Sequence, residues 1–180
     1  MGSGTNTHGA LAADVGRLLA ELDVNLLTGG GPGVMEAASR AFVAARRGRG
    51  ICIGIIPCRD DDATQPKDGY PNQFVELAIR THLPLSGEHG QDPLSRNHIN
   101  ILSSDALVFL PGQAGTVAEA ALAVRYRRPA IIYSPDPAAV RAFPDQLPRA
   151  VRIAEVRDFL RGQLRRTDAA SSGMPLPRGE

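Results

Sequence analysis

Ala106-Leu107-Val108-Phe109-Leu110-Pro111-Gly112-Gln113-Ala114-Gly115-Thr116 is the stretch that decides the fold class. Its first five residues are all apolar, the mark of a short strand buried on both faces, as in a parallel sheet. The run stops at a Pro-Gly turn, and from Val117 to about Tyr126 the pattern is helical. Strand, glycine-rich turn and helix recur upstream. Val24-Asn25-Leu26-Leu27 reads as a strand, Thr28-Gly29-Gly30-Gly31-Pro32-Gly33 as the turn, and Val34 to about Arg46 as the helix.

Working outward, Leu11, Val15, Leu18, Leu19 and Leu22 fall at helical spacing, which predicts a helix over 9–22. Ile51 to Ile56 and Ala130 to Tyr133 read as buried strands, and Val75 to Ile79 as a shorter one. Leu94 to Leu102 reads as a helix, Val151-Arg152-Ile153 as an edge strand, and Val156 to Arg165 as a closing helix. Residues 57–73, rich in Asp, Pro and Gly, form a long surface loop, the kind that often serves as a lid or binding element. Strands alternating with helices give an α/β class: a Rossmann-like parallel sheet with helices on both faces. Gly2-Ser3-Gly4 is a further glycine turn with no strand ahead of it, so either the first strand of the pattern is missing, which would leave a sheet position empty, or the recorded start lies downstream of the true one. The expected organisation is one domain over 1–166 and a disordered tail over 167–180, where Ser, Gly and two prolines gather.

Composition narrows the function classes. A formal net charge of +1, with 22% charged and 43% hydrophobic residues, is that of an ordinary globular domain. It gives no broad basic face for nucleic acid. No run reaches the ~18 apolar residues that cross a bilayer, and no signal peptide is visible, so the expectation is a cytoplasmic protein without a membrane partner. Cys52 reads as a buried thiol and Cys58 as a partly exposed one, at a spacing that suits neither a redox pair nor zinc. Asp60, Asp61 and Asp62 are adjacent and do not converge on one ion, so no metal site is expected.

The glycine turns carry the chemistry. Glycine lets backbone approach a ligand closely, and a helix start offers free N–H groups and a positive dipole to an anion. In a parallel sheet such turns share the carboxyl edge, where ligands bind. No Gly-Lys-Ser/Thr follows either glycine run, so neither is an ATPase phosphate loop. No acidic residue stands where a dinucleotide ribose would need one. The expected ligand-binding residues are Gly2, Ser3, Gly4, Gly30, Gly31, Gly33, Met35, Glu36, Asn97, Gly112, Gly115 and Thr116, around a small phosphate-bearing molecule.

Three segments together resemble the LOG (lonely guy) superfamily, once labelled lysine decarboxylases: Gly29 to Glu36, Ser95-Arg96-Asn97, and Pro111 to Glu119. The resemblance covers roughly residues 1–135. It implies a Rossmann-like fold, a homodimer paired through helices beside the site, and a nucleotide ligand. The enzymes of the superfamily cleave the N-glycosidic bond of nucleoside 5′-monophosphates and carry PGGxGTxxE preceded by an Arg-Lys pair. Arg96 and Glu119 match the arginine and the glutamate, which makes them the candidate catalytic residues. Asn97 stands in place of the lysine and Gln113 in place of the second glycine. Ser95-Arg96-Asn97-His98-Ile99-Asn100 is closer to a branch that includes molybdenum cofactor carrier-like proteins. Two functions are therefore carried forward: a phosphoribohydrolase, and a non-catalytic carrier or sensor for molybdenum cofactor or a related ligand. Neither requires a cofactor of its own. For catalysis, an oxocarbenium-like ribose would need a carboxylate beside it, Glu119, while Arg96 holds phosphate or orients Glu119. The helix from Val117, with Ala120, Ala121, Leu122 and Val124, has more apolar surface than one stripe needs, in keeping with pairing of two copies.

Overall fold

The computed structural model describes residues 8–85 and 87–172. Gly2, Ser3 and Gly4, with the turn they were expected to form, lie outside the described residues. Thirteen residues, Gly9–Glu21, form α1, and β1 (Leu26–Thr28), α2 (Val34–Ala45) and β2 (Cys52–Ile56) follow. After the long loop come β3 (Leu77–Arg80), a 3-10 turn at Gly87–His89, α3 (Asn97–Leu102) and β4 (Leu107–Phe109). α4 (Ala114–Arg125), β5 (Ala130–Tyr133), a second 3-10 turn (Pro137–Val140), β6 (Arg149–Ala150) and α5 (Ile153–Ser172) complete the chain.

All strand pairs are parallel. Among the described residues they form two three-stranded sheets, β1-β2-β3 and β4-β5-β6. The period-2 alternation of β5 explains why its sequence is apolar throughout. Ile131 and Tyr133 enter one core with α1, α2 and α5, while Ala130 and Ile132 enter another with α3 and α4. The first core also takes Leu26 and Cys52, so the same helices pack against strands of both sheets. A cleft of about 480 Å³ lies between β1 and β4, lined by residues of both.

Several boundaries move for local reasons. Val151–Ile153 is not a strand. The Glu155 carboxylate accepts from the backbone N–H of Val151 and Arg152 (2.8 and 3.3 Å), turning these residues into the entry to α5 and leaving β6 just upstream. α5 runs on to Ser172, so the first six residues of the expected tail are helical. α3 starts at Asn97 rather than Leu94, because Asp92 draws Leu94 and Ser95 into a turn. Cys58 is 2% exposed, not partly open, since its backbone bridges Pro66 and folds the loop over it. The Asp60–Asp62 run is dispersed: Asp60 meets Lys67, Asp61 meets Arg59, and Asp62 accepts from Thr64. In α4, Ala120 and Leu122 are buried in the chain's own core, and Ala121 and Val124 are half-buried. No helix among the described residues is long and apolar enough to cross a membrane.

Candidate functional site

The carboxyl ends of β1 and β2 carry a polar group built around one buried arginine. Thr28 ends β1, and its hydroxyl oxygen accepts from the Gly30 N–H at 3.0 Å, which bends the chain into the glycine turn. Gly33, at φ +72°, is the residue before α2, a conformation that glycine adopts without steric cost. Arg96, immediately before α3, reaches beneath this turn and is 4% exposed. Its Nη1 donates to the Ile55 carbonyl at 3.1 Å, while its buried Nε has no hydrogen-bond partner among the described residues. A Cβ on Gly29 would lie 2.9 Å from the guanidinium carbon, so any side chain there would displace the arginine. No carboxylate of the described residues lies within ion-pair distance of Arg96.

The long loop closes this corner. Asn72 donates its N–H to the Gly30 carbonyl at 2.7 Å and its side-chain Nδ2 to the Gly31 carbonyl at 2.9 Å. Its Oδ1 accepts from the Phe74 N–H. Two residues earlier, the Tyr70 ring lies against Gly31, where a Cβ would come within 2.6 Å of ring atoms. The Arg96 guanidinium stands 5.6 Å from the centre of the same ring. Tyr70 and Asn72 were not anticipated from sequence. The only sequence signal was an aromatic residue inside an otherwise Asp-, Pro- and Gly-rich loop.

The second glycine turn is covered differently. The 3-10 turn at Gly87–His89 packs across the start of α4, with the Gly87 Cα 3.0 Å from where a Gly115 Cβ would be. Thr116 is buried with its side chain against Gly112, and Gln113 is exposed. Asn97, 3% exposed, has its amide nitrogen against Gly90. Arg96 thus faces the first turn while its neighbour Asn97 faces the segment over the second. Glu36, in the first turn of α2, accepts a long 3.5 Å bond from Gln73.

Glu119, one turn into α4, opens instead onto the 480 Å³ cleft together with Thr28, Val34 and Met35. That cleft is not lined by Gly31, Gly33, Gly112, Gly115 or Thr116. Burial pushes the Glu119 carboxyl up from the ordinary range, against an opposing pull from the charge of Arg96. Glu119 is half-buried where it lines the cleft. His98 is engaged on both ring nitrogens, by the Tyr126 hydroxyl (2.8 Å) and the Asp92 carbonyl (2.9 Å), and so has a structural place.

Comparison with known proteins places this geometry. The family model of the SLOG cluster4 family matches residues 1–158. The chain belongs to the SLOG cluster4 family. An uncharacterised protein of Archaeoglobus fulgidus is 32% identical over 115 residues, 64% of this chain, and the chain spans only 63% of the length of that curated relative. Among solved structures, the molybdenum cofactor binding protein of Rippkaea orientalis is 27% identical, with 91% of this chain and 93% of that one covered and a TM-score of 0.68. The molybdenum cofactor carrier protein of Chlamydomonas reinhardtii is also 27% identical, over 91% and 94%, with a TM-score of 0.66. DNA processing protein A of Helicobacter pylori, at 17% identity over 90% and 78% with a TM-score of 0.62, shares the fold alone. This SLOG chain is thus an α/β protein with parallel sheets flanked by helices, similar in sequence and architecture to the two cofactor-binding structures.

Proposed function

We propose that this protein is a binding protein, a carrier or sensor, for a small phosphate-bearing ligand held at the β1–α2 turn by Arg96. The observation that carries the reading is the buried guanidinium, whose Nε has no hydrogen-bond partner and which makes no ion pair among the described residues. A buried cation without a direct ion pair is costly, and the Glu119 carboxyl acts on Arg96 only from beyond ion-pair distance. A phosphate oxygen pair matches the fork of an arginine, and the start of α2 adds N–H groups and a favourable dipole. The likeness to molybdenum cofactor binding and carrier proteins supports a ligand of that kind. The donors around Arg96 suit the phosphate end of such a molecule. The departures from the enzyme signature, Asn97 and Gln113, agree with binding without turnover.

One observation favours a second reading, hydrolysis of a nucleoside 5′-monophosphate. Glu119 lines the cleft one turn into α4, and desolvation raises its carboxyl from the ordinary range, a direction that suits a group donating a proton to a departing base.

The test is calorimetric titration of a panel of nucleoside 5′-monophosphates, with chromatography for released base. The carrier reading expects binding without release, and an Arg96→Ala affinity loss of about tenfold or more, as for a charge-assisted contact of ~1.5–3 kcal/mol. Base release that Glu119→Gln abolishes would make the second reading the correct one. No binding across the panel, together with no effect of phosphate, would remove both.

A further inference from the structure

Tyr70 has a place in the fold that neither the glycine turns nor Arg96 explains. The loop that carries it is pinned to the β1–α2 turn by the two Asn72 hydrogen bonds, both buried, so the ring is held in register with Gly31. One side of the side chain is occupied by Gly31 and the guanidinium of Arg96, and the rest is partly exposed. Its hydroxyl makes no hydrogen bond among the described residues. The chain's other two tyrosines are committed elsewhere, Tyr126 to His98 and Tyr133 to the core. Tyr70 is also the one aromatic residue in the loop over 57–73. An aromatic face fixed beside a buried cation offers two different contacts at once: charge for a phosphate, and a flat apolar surface for a ring attached to it.

We propose that Tyr70 is the aromatic wall of this site and selects phosphate-bearing ligands that carry a planar heterocycle. The proposal rests on the reading of the Arg96 corner as a phosphate site and adds the class of ligand it prefers. Both a nucleobase and a pterin have the required flat ring. The anchored loop favours a rigid platform over a swinging lid, because moving Tyr70 away would break the bonds that Asn72 makes to the turn.

The experiment compares two probes on three proteins. Adenosine 5′-monophosphate carries phosphate and heterocycle, and ribose 5-phosphate lacks the heterocycle. Each is titrated calorimetrically into the parent, Tyr70→Ala and Tyr70→Phe. The expected result is that Tyr70→Ala weakens the monophosphate by about tenfold or more, as loss of one base–aromatic stack does, and leaves ribose 5-phosphate within about twofold. Tyr70→Phe, which keeps the ring, should bind both probes like the parent. Equal weakening of both probes would overturn the proposal, because the ring would then only support Arg96. Tighter binding of ribose 5-phosphate to Tyr70→Ala would overturn it as well, by making the ring a lid. If Tyr70→Ala does not fold, Tyr70→Leu keeps bulk without an aromatic face and must show the same selective loss. Failure of the underlying site reading looks different: ribose 5-phosphate would fail to bind the parent, or would bind it and Arg96→Ala alike.

Discussion

Glu119 imposes a stability cost that depends on pH, and the sign follows from the direction of its shift. Burial holds its folded-state pKa above the unfolded value, so between the two values the folded chain binds the proton more tightly. Stability contributed by this group is complete below the ordinary glutamate range and is lost as pH rises through the folded value. Glu119→Gln removes the titration. The variant should therefore melt higher than the parent at neutral pH, and the difference should close as pH falls below the usual carboxylate range. Thermal unfolding of both proteins across pH measures it, and an equal gap at all pH values would contradict it. Arg96 and Glu119 were picked out in the sequence because they match the arginine and the glutamate of the LOG signature around the Pro111–Thr116 turn. Their separation was not legible. A shared motif does not say that one side chain turns under the first glycine loop and the other into a cleft.

At the scale of elements, the strands were readable wherever both faces of a strand are buried, because a run such as Ala130–Tyr133 then has no polar position to confuse with helix. Edges were harder. β6 is two residues long, and its end is decided by the Glu155 side chain five residues beyond it, a contact that periodicity does not encode. The loop over 57–73 was recognised as a loop of the kind that serves as a lid or binding element, but Tyr70 and Asn72 were not picked out, because its attachment runs through Asn72 to carbonyls some 40 residues earlier in the chain. That attachment can be weighed. Asn72→Ala leaves the Gly31 carbonyl without its side-chain donor in a buried place, at about 1–3 kcal/mol. For a chain of this size the loss corresponds to a melting temperature lower by roughly 2–12 °C. Weaker binding of adenosine 5′-monophosphate should accompany it, since Tyr70 loses its register. A variant that melts with the parent would show that the loop is held by something other than Asn72.

At the scale of the whole molecule, the question is whether two three-stranded sheets behave as two folding units or one. Backbone pairing among the described residues divides them, and side-chain packing joins them. The core of α1, α2 and α5 takes Leu26 and Cys52 from one sheet and Ile131, Tyr133 and Ala150 from the other, so neither sheet can lose its helices without uncovering its partner's apolar face. Arg157 of α5 also reaches Glu21 of α1 at 2.8 Å, though an exposed pair of this kind adds little. Packing therefore predicts a single cooperative transition. Phe42, in α2 and 0% exposed, tests it. Phe42→Ala opens a cavity in the shared core at about 3–5 kcal/mol. Native-state hydrogen exchange should then show the slowest amides of β2, such as Ile55, and those of β5, such as Ile132, losing protection by the same amount. If β2 loses protection while β5 keeps it, the two halves open separately, and the helices are an attachment to the first sheet rather than the bridge between both.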